Sequence, residues 1–98
     1  MRKVKNFSDV DMSKTVFVQF GASWCGPCKT MTSFIESKIE PEYPEVTFLK
    51  IDVDDCDNNM MKKHNISSVP KVFVYKNGSI ESSFVGFKKE KIIGALQS

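Results

Sequence analysis

Apolar and polar positions along this chain follow two rhythms, one short and dense, the other spaced by three and four. Thr15–Phe20 (TVFVQF) and Val46–Val53 (VTFLKIDV) are crowded with β-branched and aromatic residues and are too short for helices. Both are predicted as buried strands. Between them Met31, Phe34, Ile35 and Ile39 recur at helical spacing. They give one apolar face to a helix that opens near Pro27 and stops at Pro41 and Pro44. Asp54–His64 reads as a second helix, capped by Asp55 or Asp57. Val72–Tyr75 and Ser79–Val85 flank Asn77-Gly78, a tight-hairpin dipeptide. Gly86 then breaks the chain, and Lys88–Leu96 closes it as an amphipathic helix carrying Ile92, Ile93 and Leu96. A short strand at Lys3–Phe7 and a turn or two of helix within Ser8–Met12 complete the pattern.

Strands separated by helices imply parallel neighbours, and the hairpin adds an antiparallel pair. The expected class is therefore α/β: a central mixed β-sheet of four to five strands, flanked by helices on both faces. There is no internal repeat, low-complexity tract or linker, so one domain is expected to span residues 1–98.

Composition narrows the function classes. The chain is 41% hydrophobic and 27% charged, ordinary globular values that exclude a disordered or fibrous class. A net charge of +2 is too mild to argue for nucleic acid or an anionic membrane. No apolar run approaches the roughly 18 residues of a membrane helix. The stretch MRKVKNFSDVDMSK is charged and lacks the apolar core of a secretory signal, which points to the cytoplasm. In that reducing compartment a close cysteine pair is catalytic or metal-binding, not a structural staple.

The pair is Cys25-Gly26-Pro27-Cys28, set where the Thr15–Phe20 strand gives way to the helix. The free N–H groups and the positive end of the helix dipole at that junction favour a thiolate on Cys25. A stabilised thiolate is both the nucleophile and the better leaving group in disulfide exchange. Two intervening residues let the Cys28 sulfur fold back one turn and reach Cys25. Cys25 is thus the expected nucleophile and Cys28 the resolving thiol, the two closing a Cys25–Cys28 disulfide. The other reading, half of a zinc site, needs two more ligands. Only Cys56 and His64 remain, and no second close pair exists, so no metal is expected.

The segment Phe20-Gly21-Ala22-Ser23-Trp24-Cys25-Gly26-Pro27-Cys28-Lys29 resembles the active-site signature of the thioredoxin family. Phe48–Cys56 (FLKIDVDDC) is similar to the third strand of the eukaryotic cytosolic members. Ser68-Val69-Pro70, Tyr75-Lys76-Asn77-Gly78 and Val85-Gly86 resemble the family's cis-proline loop, hairpin and following glycine, in the family's order and spacing. The resemblance runs from Thr15 to the end. It implies the thioredoxin fold and a monomeric protein-disulfide reductase and electron carrier, serving cell redox homeostasis. It implies no bound cofactor, with electrons coming from NADPH by way of a thioredoxin reductase. Trp24, Val69, Pro70 and Gly86 would form the substrate-binding surface, and Trp24, Gly26, Pro27, Gln19 and Lys50 would support the active site. A cis Val69-Pro70 bond would expose the Val69 backbone, so that an extended substrate could pair with it as an added strand. The alternatives are a specialised reductant, or a redox-regulated binding module with a narrow target set.

The chain departs from the family pattern at four places. Gln19 stands where the family carries a buried aspartate that takes the proton of the second cysteine. A neutral amide can orient a water or the Cys28 thiol but cannot be the base. Either Cys28 loses its proton through water or to the leaving Cys25 thiolate, with slower resolution, or Gln19 is a tolerated buried polar residue with little kinetic effect. Lys50 would lack the anionic partner it has in the family. Ser33 replaces a kinking proline, which predicts a straighter helix. Lys71 replaces a threonine after Pro70 and is either a groove cation favouring acidic partners or a solvated strand-end lysine. Gly21 is expected to loosen the packing under the active-site loop.

The remaining candidates carry plainer readings. Cys56 is either a regulatory thiol or a small apolar residue packed near a helix start. His64 is expected at a helix C-terminus, where its charge would suit the dipole. Met60 and Met61 read as core filler, and Lys88, Lys89 and Lys91 as a solvated face.

Overall fold

The computed structural model describes residues 1–98. Five strands form one sheet: β1 (Arg2–Lys3), β2 (Val16–Gly21), β3 (Thr47–Asp52), β4 (Lys71–Lys76) and β5 (Ser79–Val85), in the order β1-β3-β2-β4-β5. β1, β3 and β2 run parallel, while β2, β4 and β5 pair antiparallel. The helices are α1 (Gly26–Phe34), α2 (Asn58–His64) and α3 (Lys89–Gln97).

β2 lies at the centre, covered on both faces, which is why its sequence is nearly all apolar. Alternate residues serve opposite layers. Phe17 packs with Phe48, Val72, Val74, Met31, Ile35, Ile92 and Ala95 under α1 and α3. Val16, Val18 and Phe20 pack with Leu49, Ile51, Phe73, Tyr75 and Met60 under α2. Each fully buried Phe, Ile or Leu contributes roughly 1.5–3 kcal/mol of transfer free energy.

The elements match the predicted ones with four corrections. The first strand is Arg2–Lys3, continued only by the Val4 N–H to the Lys50 carbonyl, 3.1 Å. Lys5 to Phe7 leave the edge so that Phe7 can turn edge-on to His64 and Tyr75. Residues 8–14 form turns, with Val10 N–H on Phe7 O and Lys14 N–H on Asp11 O.

The helix after Cys28, with Ser33 where the family pattern has a proline, does not run on as one α-helix. It widens into a π-helical stretch at Ile35–Ile39 and tightens into a 3₁₀ turn at Glu40–Glu42. Pro41 has no N–H to continue the ladder, and the Ser37 hydroxyl competes for the Ser33 carbonyl at 2.7 Å, a bond that bends helices. Met31, Ile35 and Ile39 nevertheless remain buried.

α2 starts at Asn58, not Asp54. The residues before it are spent on a turn: Asp54 N–H bonds the Asp52 carboxylate, and Asp55 N–H bonds Asp52 O. Asp57 occupies the N-cap, but its carboxylate accepts from Asn6 Nδ2 at 2.6 Å instead of capping. The hairpin turns through Asn77 (φ 51°) and Gly78 (φ 80°), and both signs are those of a tight primed turn.

Candidate active site

Cys25 is the N-cap of α1, in extended backbone (φ −93°, ψ 107°), with Pro27 in the first turn. The Cys28 N–H donates to the Cys25 sulfur at 3.2 Å. One of the orphan donors of the helix start thus points at the sulfur that would carry charge in the reduced protein. No acidic side chain lies in that first turn to oppose it. Cys25 and Cys28 form a disulfide, with Cα atoms 5.3 Å apart, and are 6% and 4% exposed. The pair packs with Ala22 and is flanked by Val53 and Val69.

The surface around the pair is built from three loops. Trp24 is 69% exposed, and its indole N–H donates to the Asp54 carboxylate at 2.8 Å. Sequence reading had not joined these residues, which are 30 apart. Val69-Pro70 is a cis peptide. Pro70 O accepts the Gly86 N–H at 2.8 Å, and Gly86 has φ 90°, a conformation suited to glycine. The Val69 N–H and C=O are bonded to no other backbone group. Gly26 and Pro27 lie exposed between the cysteines.

Beneath the pair, β2 and β3 present a polar square on the α1 side. The parallel register places Gln19 beside Lys50 and Gly21 beside Asp52. These follow the Phe17–Phe48 pair on the same face, so the apolar layer ends where Cys28 begins. Gln19 is 2% exposed. Its Nε2 donates to the Cys28 carbonyl at 3.0 Å, and its Oε1 accepts from Thr32 Oγ1 at 3.4 Å. Gln19 therefore holds the backbone of Cys28, not its thiol. Lys50 is in none of the ion pairs of the structure.

Gly21 corrects an expectation. A Cβ there would lie 3.2 Å from both Cβ and Sγ of Cys28, so the glycine allows a close approach instead of loosening it. Lys71 is half-buried, with its ammonium 5.4 Å from the Phe73 ring centroid, so it is not a fully solvated strand-end lysine.

His64 also departs from its expected part. It does end α2, but it is 6% exposed, and burial holds its pKa below the ordinary value. Its Nδ1 donates to Met60 O at 2.8 Å, which leaves Nε2 to accept the Tyr75 hydroxyl at 2.7 Å. It is a neutral core residue among Phe7, Phe20 and Phe73. Cys56 is half-buried, and its thiol pKa is raised by burial and then by Asp57, Asp52, Asp55 and Asp54, the opposite of a reactive cysteine. No group of three or more histidine, cysteine or carboxylate side chains comes together in a way that could hold a metal ion.

The geometry is that of a dithiol–disulfide pair exchanging with an external disulfide, and the comparisons agree. The family model described as Thioredoxin matches residues 2–98. A thioredoxin of Ophiophagus hannah is 39% identical over 85 residues, covering 87% of this chain and 79% of its own. Thioredoxin-1 of Saccharomyces cerevisiae is 38% identical over 89 residues, covering 91% and 84%. The solved structure of Plasmodium falciparum thioredoxin superposes with a TM-score of 0.86 at 33% identity, covering 99% of this chain and 97% of that one. Signature, sheet order, cis-proline and relatives converge: the chain belongs to the thioredoxin family, a thiol–disulfide oxidoreductase whose redox centre is the Cys25–Cys28 pair.

Proposed function

We propose that this chain is a protein-disulfide reductase, recycled by a thioredoxin reductase that draws on NADPH. The observation that carries the reading is the Cys28 N–H on the Cys25 sulfur at the start of α1. It stabilises negative charge on Cys25 and on no other sulfur.

In the reduced protein the Cys25 thiolate attacks one sulfur of a substrate disulfide. A Cys25–substrate bond forms and the other substrate sulfur leaves as a thiolate. Cys28 then loses its proton and attacks the Cys25 sulfur, which breaks the mixed disulfide and closes Cys25–Cys28. Two electrons pass to the substrate, which leaves as two thiols. The reductase returns two electrons from NADPH and reopens the pair. No cofactor is bound at any step.

The substrate docks between Trp24, Val69, Pro70 and Gly86. The unpaired backbone of Val69 supports this, because an extended segment pairing there needs no particular sequence. Gly26 and Pro27 supply a flat approach between the cysteines. Gln19 fixes the backbone of Cys28, and Lys50 lines the space beneath it. The protein acts as a monomer on protein disulfides in the cytoplasm, where the thiol poise keeps such a pair reduced.

The test is insulin disulfide reduction with NADPH and a thioredoxin reductase. Wild type turns over, Cys25→Ser is inactive, and Cys28→Ser accumulates a mixed disulfide at Cys25. Activity of Cys25→Ser equal to wild type would overturn the reading.

A further inference from the structure

A cavity of ≈ 320 Å³ opens behind the redox pair, between β2, β3 and α1, and Cys28 is part of its wall. Its floor is the polar square of Gln19, Gly21, Lys50 and Asp52. Parallel register sets the side chains of paired residues on the same face of the sheet. Asp52 is therefore directed to the face where Gly21 meets Cys28. Gly21 offers no side chain to separate the two: a Cβ there would sit 3.2 Å from the Cys28 sulfur. Cys28 thus looks into the cavity past a glycine, toward the residue paired with that glycine.

Three cations, Lys3 from β1, Lys29 from α1 and Lys50 from β3, also line the space. Asp52 is the one carboxylate among the lining residues, and no histidine is present. Its Oδ1 accepts the Asp54 N–H at 2.9 Å, an anchor that leaves Oδ2 available. Gln19 cannot take a proton, and its Nε2 is committed to Cys28 O, toward which the Thr32 hydroxyl also points at 3.0 Å. The volume is enough for several waters among polar walls.

We propose that Asp52 is the proton acceptor for Cys28 in this chain, acting through cavity water, in place of a carboxylate at position 19. This rests on Cys28 being the resolving thiol. The Cys28 S–H proton passes by water to Asp52 Oδ2. The thiolate formed attacks the Cys25 sulfur, the Cys25–substrate bond breaks, and the substrate sulfur departs with the electron pair. Asp52 then returns its proton to bulk water through the open side of the cavity. When the reductase reopens the pair, the proton travels the same route back to Cys28. Lys3, Lys29 and Lys50 are the charged groups that line the space with Asp52; Gln19 and Thr32 are neutral.

The experiment is stopped-flow reduction of an aromatic disulfide that releases one coloured thiolate per step, using reduced wild type, Asp52→Asn and Gly21→Ala from pH 6 to 9. Asparagine keeps the Oδ1 anchor. The first release reports attack by Cys25 and is expected unchanged in Asp52→Asn. The second reports resolution and is expected about tenfold or more slower at pH 7, converging with wild type near pH 9, where the thiol ionises unaided. Adding Gln19→Asp to Asp52→Asn is expected to restore it. Gly21→Ala, which closes the way from thiol to cavity, slows the second release with the same convergence, and it decides the matter if Asp52→Asn does not fold. A second release equal to wild type at every pH, or slowed equally at every pH, overturns the proposal. Loss of the first release in wild type would instead overturn the reductase reading.

Discussion

Gly21 and Cys28 face each other so closely that the sulfur takes the space a side chain at position 21 would need, 3.2 Å from the ideal Cβ. The contact couples the end of the central strand to the start of α1. Gly21→Ala forces Cys28 or β2 to move by a few tenths of an ångström, an overpacking that costs about 1–3 kcal/mol. Denaturant unfolding of the oxidised protein is expected to show that loss with an unchanged m-value. Stability equal to wild type would show that the site yields without strain.

His64 makes the fold sensitive to acid. Its folded pKa lies below the ordinary value because burial penalises the imidazolium; the bond to Met60 O opposes this, and Lys63 adds to it. The unfolded chain therefore binds a proton that the folded one refuses. That contribution is present above about pH 6.5 and is lost as pH falls toward the depressed folded pKa. The slope from one such group is at most about 1.4 kcal/mol per pH unit. Melting temperature between pH 7.5 and pH 5 is expected to drop more in wild type than in His64→Gln. Parallel curves would mean that His64 does not titrate in this window.

Trp24 stands exposed but is not loose, because Asp54 accepts its indole N–H. Asp54→Ala frees the ring at a stability cost of about 1 kcal/mol or less, as for other exposed hydrogen bonds. If the ring positions substrates, KM for a protein disulfide rises several-fold while kcat stays within about twofold. An unchanged KM would place Trp24 outside the docking surface.

Cys56 is the protein's third thiol, and burial and four aspartates raise its pKa. In the fully reduced protein at pH 7, Cys25 is expected to react with iodoacetamide at least about tenfold faster than Cys56, because thiolate fraction outweighs the greater exposure of Cys56. Peptide mapping of partly alkylated protein reads the ratio directly. Equal labelling would return Cys56 to the list of reactive sites.

Much of the active site was legible in one decapeptide. Cys25, Pro27 and Cys28 read as a helix start carrying sulfur because the rules involved are local: a helix N-terminus needs partners, proline suits its first turn, and two residues span one turn. Gln19, too, was visible as a non-titrating group before any fold was known. Its actual bond, to the Cys28 carbonyl, was not, because which atom an amide meets depends on packing between two layers.

Most of the elements, the α/β layering and the place of the redox pair are written in local sequence, since period-two and helical spacing, turn dipeptides and a helix start are properties of neighbours in the chain. Long-range contacts belonged to the tertiary structure alone. Asp57 became a partner of Asn6 instead of a cap, and His64 became a neutral core residue under Tyr75. Ile35–Ile39 took π-helical geometry with Ile35 and Ile39 buried. Asp52 came under Cys28 only because β2 and β3 align in one register, where a shift of one residue would have turned that carboxylate to the other face.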